Sequence, residues 1–374
     1  MSRFINLLIL TTITCLNSCT PKSDEDPKII KISEADMVDI PLEQILSGSE
    51  FTPLEFTPES ALAESAMFLD CKSGYFLMDK YEKKVVYQFD QSGLFIRTIG
   101  QPGKGPGEYT HITDALMTEK GLEILTGLSC TEVYQYNKEG LFIRSNQVLP
   151  GNSQSFAKNC ENGNYYFKSE WYQHLIQQVD AESRLPVDSF IVRNPKLMGG
   201  GVNTFSSTAM GTVLFYQLFD NRIFEIVRDT AIVRYLFDAG ASTPNYDELN
   251  EAGQTSILNE GIFWYIYKAL ENTNWLYLLM SKQDNMDETQ SQLYGLLYEK
   301  KTAKLYRLPE TPEPWPLFHP AFALDENDIL YTAVQPVNIY ESAGWKGEFT
   351  KRNIPLTPDG NFIVVKIPLG KIIQ

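Results

Sequence analysis

Histidine is scarce in this chain: His111, His174 and His319 are the only three in 374 residues. They are far apart, so neither an H-x-H nor an H-x-x-x-H ligand pair exists, and a catalytic zinc site lacks its usual frame. No Gly-x-Ser-x-Gly occurs, which leaves serine-hydrolase chemistry without support. Positive charge is also short. Lysine and arginine number 32 against 47 acidic residues, for a net charge of −15. No basic stripe is present to neutralise phosphates, which disfavours nucleic acid and anionic lipid as partners. The acidity itself reads as solubility. Beyond the N-terminus no apolar run reaches the ~18 residues of a membrane span.

What the chain does have is repetition. The pentapeptide Gly93-Leu94-Phe95-Ile96-Arg97 recurs letter for letter as Gly140-Leu141-Phe142-Ile143-Arg144, and the offset from 93 to 140 is 47 residues. A period of about 40–50 residues belongs to β-propellers. Each copy follows an aromatic and a polar cluster, Phe89-Asp90-Gln91-Ser92 and Tyr136-Asn137-Lys138-Glu139. That order predicts strand, tight turn, strand, with glycine where the turn needs positive φ. Similar groups of short strands are expected over about 62–100, 111–149, 155–193, 206–240, 275–308 and 320–369. The fold class is therefore all-β, a six-bladed propeller. Strand pieces at 28–32 and 38–42 precede the first blade, and such a strand is expected to join the last blade and close the ring. The β rhythm breaks over about 245–270, which reads as a partly helical insertion.

The N-terminus reads as a sorting signal. Arg3 supplies positive charge, residues 4–16 are largely apolar, and Leu16-Asn17-Ser18-Cys19 follows. This tetrapeptide resembles the lipobox of bacterial lipoproteins, although Asn17 departs from the usual small apolar residue. The resemblance implies cleavage after residue 18 and acylation of Cys19, a stable membrane anchor without a spanning helix. Residues 19–27 are polar, acidic and proline-flanked, hence a disordered tether, and the propeller occupies 28–374. The acidic patch behind Cys19 resembles the surface-export signal of Bacteroidetes lipoproteins; a generic solvated linker reads equally well. The expected location is the outer membrane, on its periplasmic or cell-surface face. Of the five cysteines, Cys71, Cys130 and Cys160 would remain beside Cys19 in the mature protein. Their spacing fits no zinc pattern, and they read as small buried hydrophobes.

The string Gly100-Gln101-Pro102-Gly103-Lys104-Gly105-Pro106-Gly107-Glu108-Tyr109 follows the first copy of the pentapeptide. It lacks the Gly-Lys-Ser/Thr ending of a phosphate loop, and two prolines remove amide donors, so it reads as a blade-to-blade crossover. Together with the strand before it, it resembles NHL-type repeats and, more closely, the six-bladed β-propeller lipoproteins of Bacteroidetes. A second echo is Asp220-Asn221-Arg222-Ile223-Phe224-Glu225-Ile226 followed by Tyr235-Leu236-Phe237-Asp238-Ala239-Gly240, with Phe224 in place of the usual tyrosine. The resemblance implies fold and location far more than activity.

Two functional classes follow. In the first, the propeller is a binding module for a glycan, a peptide or a neighbouring envelope protein, without a cofactor. Trp171, Tyr172 and His174 in a polar stretch, Trp264 in Trp264-Tyr265-Ile266-Tyr267, and Trp345 in an expected flexible loop are the candidate contacts, because exposed Trp and Tyr stack on sugar rings and anchor peptides. Each of these also suits packing between blades. In the second class the protein is a lyase or lactonase-like hydrolase with a metal, Ca2+, in the central channel. Asp70, Asp79, Asp114 and Asp325 are the carboxylates available, and most stand where aspartate ordinarily caps a turn.

Overall fold

The structure is a computed structural model that describes residues 26–126, 131–148, 151–160, 162–195, 204–208, 211–243, 247, 263–283, 291–309, 318, 320–341, 343–354 and 356–373. Among them 26 strands form six sheets of four or five strands, arranged as a six-bladed β-propeller. The first three strands, β1 (Lys28–Lys31), β2 (Val38–Asp39) and β3 (Glu50–Pro53), join three different blades.

The blades then follow in chain order. The first holds β4 (Met67–Asp70), β5 (Tyr75–Asp79), β6 (Val85–Phe89) and β7 (Phe95–Ile99). The second holds β8 (Asp114–Thr118), β9 (Gly121–Thr126), β10 (Glu132–Asn137) and β11 (Phe142–Gln147). In the third are β12 (Ser155–Lys158), β13 (Tyr165–Lys168), β14 (His174–Val179) and β15 (Pro186–Val192), and in the fourth β16 (Phe205–Ser207), β17 (Val213–Phe215), β18 (Arg222–Val227) and β19 (Thr230–Asp238). The fifth has β20 (Phe263–Glu271), β21 (Trp275–Gln283), β22 (Ser291–Glu299) and β23 (Lys304–Arg307). The sixth has β24 (Ala323–Leu324), β25 (Ile329–Val334) and β26 (Ile363–Pro368). The first strands of successive blades touch, from β4 through β8, β12, β16 and β20 to β24, and line the central channel.

The packing explains the strand sequences. In the first blade all residues of β5 and β6 are buried, whereas β7 on the rim is partly exposed. Alternate residues of a strand face opposite sides of the sheet, and here each side meets another blade. Tyr75 and Leu77 pack with Phe322 and Val364 of the sixth blade, while Phe76 and Met78 pack with Ile124 and Tyr136 of the second. A continuous apolar run thus serves two cores at once, and the hydrophobic interior lies between neighbouring blades.

The ring closes through β3, which pairs antiparallel with β26 in the register Thr52↔Val364 and Glu50↔Lys366. This corrects the expectation that the pieces at 28–32 and 38–42 supply the closing strand. Instead β1 adds parallel to β19 and β2 adds parallel to β23, as fifth strands on the fourth and fifth blades. Each covers an outer edge whose backbone groups would otherwise face solvent. Past β3 the chain grips the first blade: the Glu55 amide donates to the Gly93 carbonyl at 2.8 Å, and its carboxylate accepts the Phe95 amide at 2.8 Å. The N-terminal segment therefore wraps four consecutive blades.

The insertion expected at 245–270 ends earlier than its sequence suggested. Residues 263–270 belong to β20, whose aromatic run packs into the core between blades four and five. Of the expected insertion, residues 245–246 and 248–262 lie outside the described residues. Helices occur instead between β25 and β26, at Pro336–Glu341 and Ala343–Lys351.

Candidate functional site

Within an antiparallel blade, connections after the second and fourth strands emerge on one face. Turn 80–84, crossover 100–113, hairpin 169–173, connection 216–221 and the helical connection 335–362 share it. Hydrogen bonds show the first two meeting: the Tyr109 hydroxyl donates to the Lys84 carbonyl at 2.9 Å, and Lys84 Nζ donates to the Thr110 carbonyl at 3.2 Å. The glycine string is the expected crossover, folded back by Gly103 N–H to Tyr109 C=O at 2.9 Å and Gly105 N–H to Glu108 Oε2 at 2.8 Å.

At the channel end of this face stands Asp114, the first residue of β8. Its Oδ1 accepts the Ala115 amide at 2.9 Å and its Oδ2 accepts the Phe156 amide of the third blade at 3.1 Å. Burial pushes the carboxyl up to about 6, against the pull of those amides and of the positive Lys80 and Lys268. Lys268 comes from β20 of the fifth blade, across the ring from the second. It follows a bulge at Tyr267, where the register with β21 skips from Ile266 to Lys268. Enclosure holds its ammonium down at about 8, with the Asp114 charge acting in the other direction. Lys80, in the turn after β5, is lowered by burial and likewise raised by Asp114. Both lysines keep part of their surface open to solvent. Lys80 Nζ also lies over the ring of the exposed Tyr81, 5.8 Å from its centroid.

The other carboxylates named from sequence do not join this group. Asp79 caps its turn by accepting the amides of Tyr81, Glu82 and Lys83 at 3.2, 2.9 and 3.1 Å. Asp325 accepts the amides of Asn327 and Ile329, each at 2.9 Å, and Asp70 accepts that of Lys72 at 3.3 Å. Among the described residues no three His, Cys, Asp or Glu side chains converge as a metal site. His111 lies against the Thr110 hydroxyl at 3.0 Å and His174 against the Ser189 hydroxyl at 3.2 Å; His319 is outside the described residues.

The aromatic candidates separate. Trp171 is 73% exposed and Tyr172 39%, side by side at the tip of the β13–β14 hairpin. The hairpin is pinned beneath them: Lys168, itself buried, pairs with Glu170 at 2.9 Å, and the Arg193 guanidinium donates to the Glu170 carbonyl. His174 begins the next strand on the same hairpin. Trp264, by contrast, is 7% exposed and packs at 4.9 Å from the Tyr294 ring, so it offers no surface to a ligand. Trp345 lies in the helix Ala343–Lys351, not in a flexible loop, and its side chain is outside the described residues, as are Cys19 and Cys130. Cys71 is buried and free; Cys160 is free but exposed, against the expectation of burial. Within the same aromatic string Tyr267 is 42% exposed, while Lys80 and Lys268 escaped sequence reading. One signal was available: Lys268 interrupts the apolar run from Phe263 to Leu270.

No curated protein matches the chain. Among solved structures it is similar to a protein described as exported, from Bacteroides fragilis NCTC 9343, at 17% identity over 91% of this chain and 99% of that one, with a TM-score of 0.69. It also bears a weaker likeness to a streptogramin B lyase, at 9% identity over 86% of this chain and 99% of that one, with a TM-score of 0.46. An auxiliary nutrient binding protein from Bacteroides ovatus ATCC 8483 stands at 8% identity over 89% of this chain and 75% of that one, with a TM-score of 0.46. The first of these likenesses shows a shared fold. Residues 27–368 match the family described as a domain of unknown function, DUF4934, and the chain belongs to that family.

Proposed function

We propose that this chain is a lipid-anchored, extracytoplasmic binding module that takes a glycan, a peptide or a neighbouring envelope protein on the loop face, over the channel mouth. The observation that carries the reading is Trp171, with most of its indole in water beside Tyr172 on a hairpin held by an ion pair and a guanidinium–carbonyl hydrogen bond. A large apolar ring kept in solvent on a rigid support is preorganised to stack on a sugar or to anchor a peptide. The lipobox-like Leu16-Asn17-Ser18-Cys19 and the acidic tether after it support an anchor with the propeller held away from the membrane.

The test is thermal stability of the propeller with a glycan and peptide panel, repeated for Trp171→Ala. A ligand that raises the melting temperature of the parent and not of the variant supports the reading. A panel with no effect on the parent sinks it. The anchor is tested separately, by mass spectrometry of Cys19 and by fractionation of Cys19→Ala, which is expected to leave the membrane fraction.

A further inference from the structure

The outer edges of the blades are treated unequally. On the fourth and fifth blades a strand from elsewhere in the chain lies parallel to the outer strand, β1 along β19 and β2 along β23. On the third blade β15 ends its sheet, and no strand among the described residues pairs with its outer edge. That edge borders a groove of about 450 Å³ between the third and fourth blades, a volume in the range of ligand sites. The floor is apolar: Phe190 of β15 and Phe224 of β18 lie there, both buried. The walls carry Asp188, Asp229 and Asp247 against a single cation, Arg222. Arg222 is already committed, to Asp220 at 2.7 Å and to Asp247 at 2.8 Å. Asp188 accepts the Ser189 amide at 2.7 Å and Asp229 the Thr230 hydroxyl at 3.5 Å, but among the described residues neither meets a cation.

We propose that the outer edge of the third blade takes an extended, lysine- or arginine-bearing segment of a partner protein, which adds to β15 as a fifth strand and lays its cations on Asp188 and Asp229. The molecule already uses this mode next door. There β1, with the sequence Lys28-Ile29-Ile30-Lys31, pairs in register with residues 235–238, burying Ile30 and leaving Ile29 in solvent. A strand placed likewise on β15 gains backbone hydrogen bonds from an edge that otherwise meets only water. Two features bound the pairing stretch. Pro186 has no amide to give, and at Ile191 the strand leaves its regular course with φ +58°. Residues 187–190 remain, a run as long as β1. Charge selects the occupant. Three aspartates against one committed arginine repel an acidic segment and attract a basic one, and the net charge of −15 steers it in. The outer strands β7 and β11 do not compete, because they carry Arg97 and Arg144, the basic ends of the two pentapeptides. On β7 the Phe95 amide is also taken by the Glu55 carboxylate.

The surface lies on the flank of the ring and uses neither Trp171 nor the channel, so the inference stands apart from the loop-face reading. The test uses the mature chain and a fluorescein-labelled decapeptide of alternating lysine and valine, followed by fluorescence anisotropy at low salt, with the glutamate-for-lysine peptide as counterpart. The basic peptide is expected to bind and the acidic one not to. Asp188→Asn combined with Asp229→Asn should weaken binding by about fivefold or more. Glu119→Gln combined with Glu326→Gln removes the same charge from exposed positions on the second and sixth blades, and should leave it within about twofold. Successive amides of a strand point to opposite edges, so N-methylation of every valine blocks one edge of the peptide and of every lysine the other. At least one methylated peptide is expected to lose binding. Full binding of both overturns the inference, as does no binding of the basic peptide, or equal weakening by the two pairs of substitutions. Trp171→Ala should change nothing; a loss there would assign the peptide to the loop face, overturning the inference while sparing the broader binding reading.

Discussion

Arg234 of the fourth blade sets its Nε and Nη2, at 3.0 and 2.9 Å, on one carboxylate oxygen of Glu271 in the fifth. The same oxygen accepts the Tyr235 hydroxyl and Lys300 Nζ, each at 2.5 Å. Glu271 is fully buried, so it joins two blades at a point where no water can replace it. Removing Glu271 takes the carboxylate from Lys300 and the Tyr235 hydroxyl and leaves Arg234 with Glu225 alone. Glu271→Ala should therefore lower unfolding free energy by about 3–5 kcal/mol, and Glu271→Gln by less, because the amide still accepts hydrogen bonds. Chemical denaturation reads both. A midpoint for Glu271→Ala equal to the parent's would refute the account.

The channel pair makes the opposite prediction. Lys268 titrates near 8 in the folded chain against an ordinary 10.5, so the unfolded chain binds more protons between those values. Its contribution to stability is fully present above pH 10.5 and is lost as pH falls through 8. Asp114 runs the other way: raised to about 6 from 3.8, it contributes stability below pH 3.8 that is lost as pH rises through 6. At pH 7 both groups are therefore held in the charge state that folding disfavours. Lys268→Met should raise stability at pH 7 by about 1–3 kcal/mol, provided the apolar chain fills the same space. It should also flatten the rise between pH 8 and 10.5. Thermal melts over that range check both, and a destabilised Lys268→Met would mean that the lysine serves packing.

The two copies of the repeated pentapeptide are not equivalent in the fold. Gly93 has φ +89° and Gly140 φ +78°, so either turn strains a residue with a side chain. A Cβ on Gly93 would fall 2.2 Å from the carbonyl oxygen of Pro53 in the closing strand, whereas one on Gly140 would meet side-chain atoms of Ile99 at 3.0 Å. Backbone cannot yield as a side chain can. Gly140→Ala should cost about 1–2 kcal/mol for the conformation alone, and Gly93→Ala at least ~2 kcal/mol more. Equal melting temperatures for the two variants would contradict this.

That difference shows what was legible in the sequence. Local pattern reported the turn, because glycine after a polar cluster is chosen by φ. It did not report that β3, some forty residues upstream, presses on one copy only. The same limit applies to strands. Val85–Phe89 stood out through apolar and aromatic content and Phe142–Gln147 through the repeated pentapeptide, while the short inner strands Ser155–Lys158 and Phe205–Ser207 have too few residues to show a period. The reverse error fell on Phe263–Glu271, most of which was read as insertion with Trp264 as a ligand contact, and whose residues form a strand with Trp264 in the core. In the channel, Asp114 was visible only as one aspartate among several that cap turns. What sets it apart is a bond to Phe156 of another blade and the charge of Lys268 opposite, and neither is local.

The N-terminal segment offers a test of how the ring is held. Its β1 and β2 add to blades that already have four strands, whereas β3 completes a blade that otherwise has three. Between them the helix Leu42–Gly48 buries Ile45 and Leu46 against Val365 and Leu369. A chain starting at residue 40 loses Ile30 and Ile32, which pack with Tyr235 and Phe237, at a cost of about 1.5–3 kcal/mol for each side chain. It keeps a closed ring and should unfold cooperatively at a lower temperature. A chain starting at residue 56 also loses Ile45, Leu46 and Leu54 and leaves the edge of β26 bare. It should fail to unfold in one transition, and a synthetic peptide of residues 41–56 should restore the missing strand and the transition with it. Circular dichroism melts of the two truncations decide the matter. If the shorter chain melts as sharply as the longer, the closing role assigned to Glu50–Pro53 is wrong.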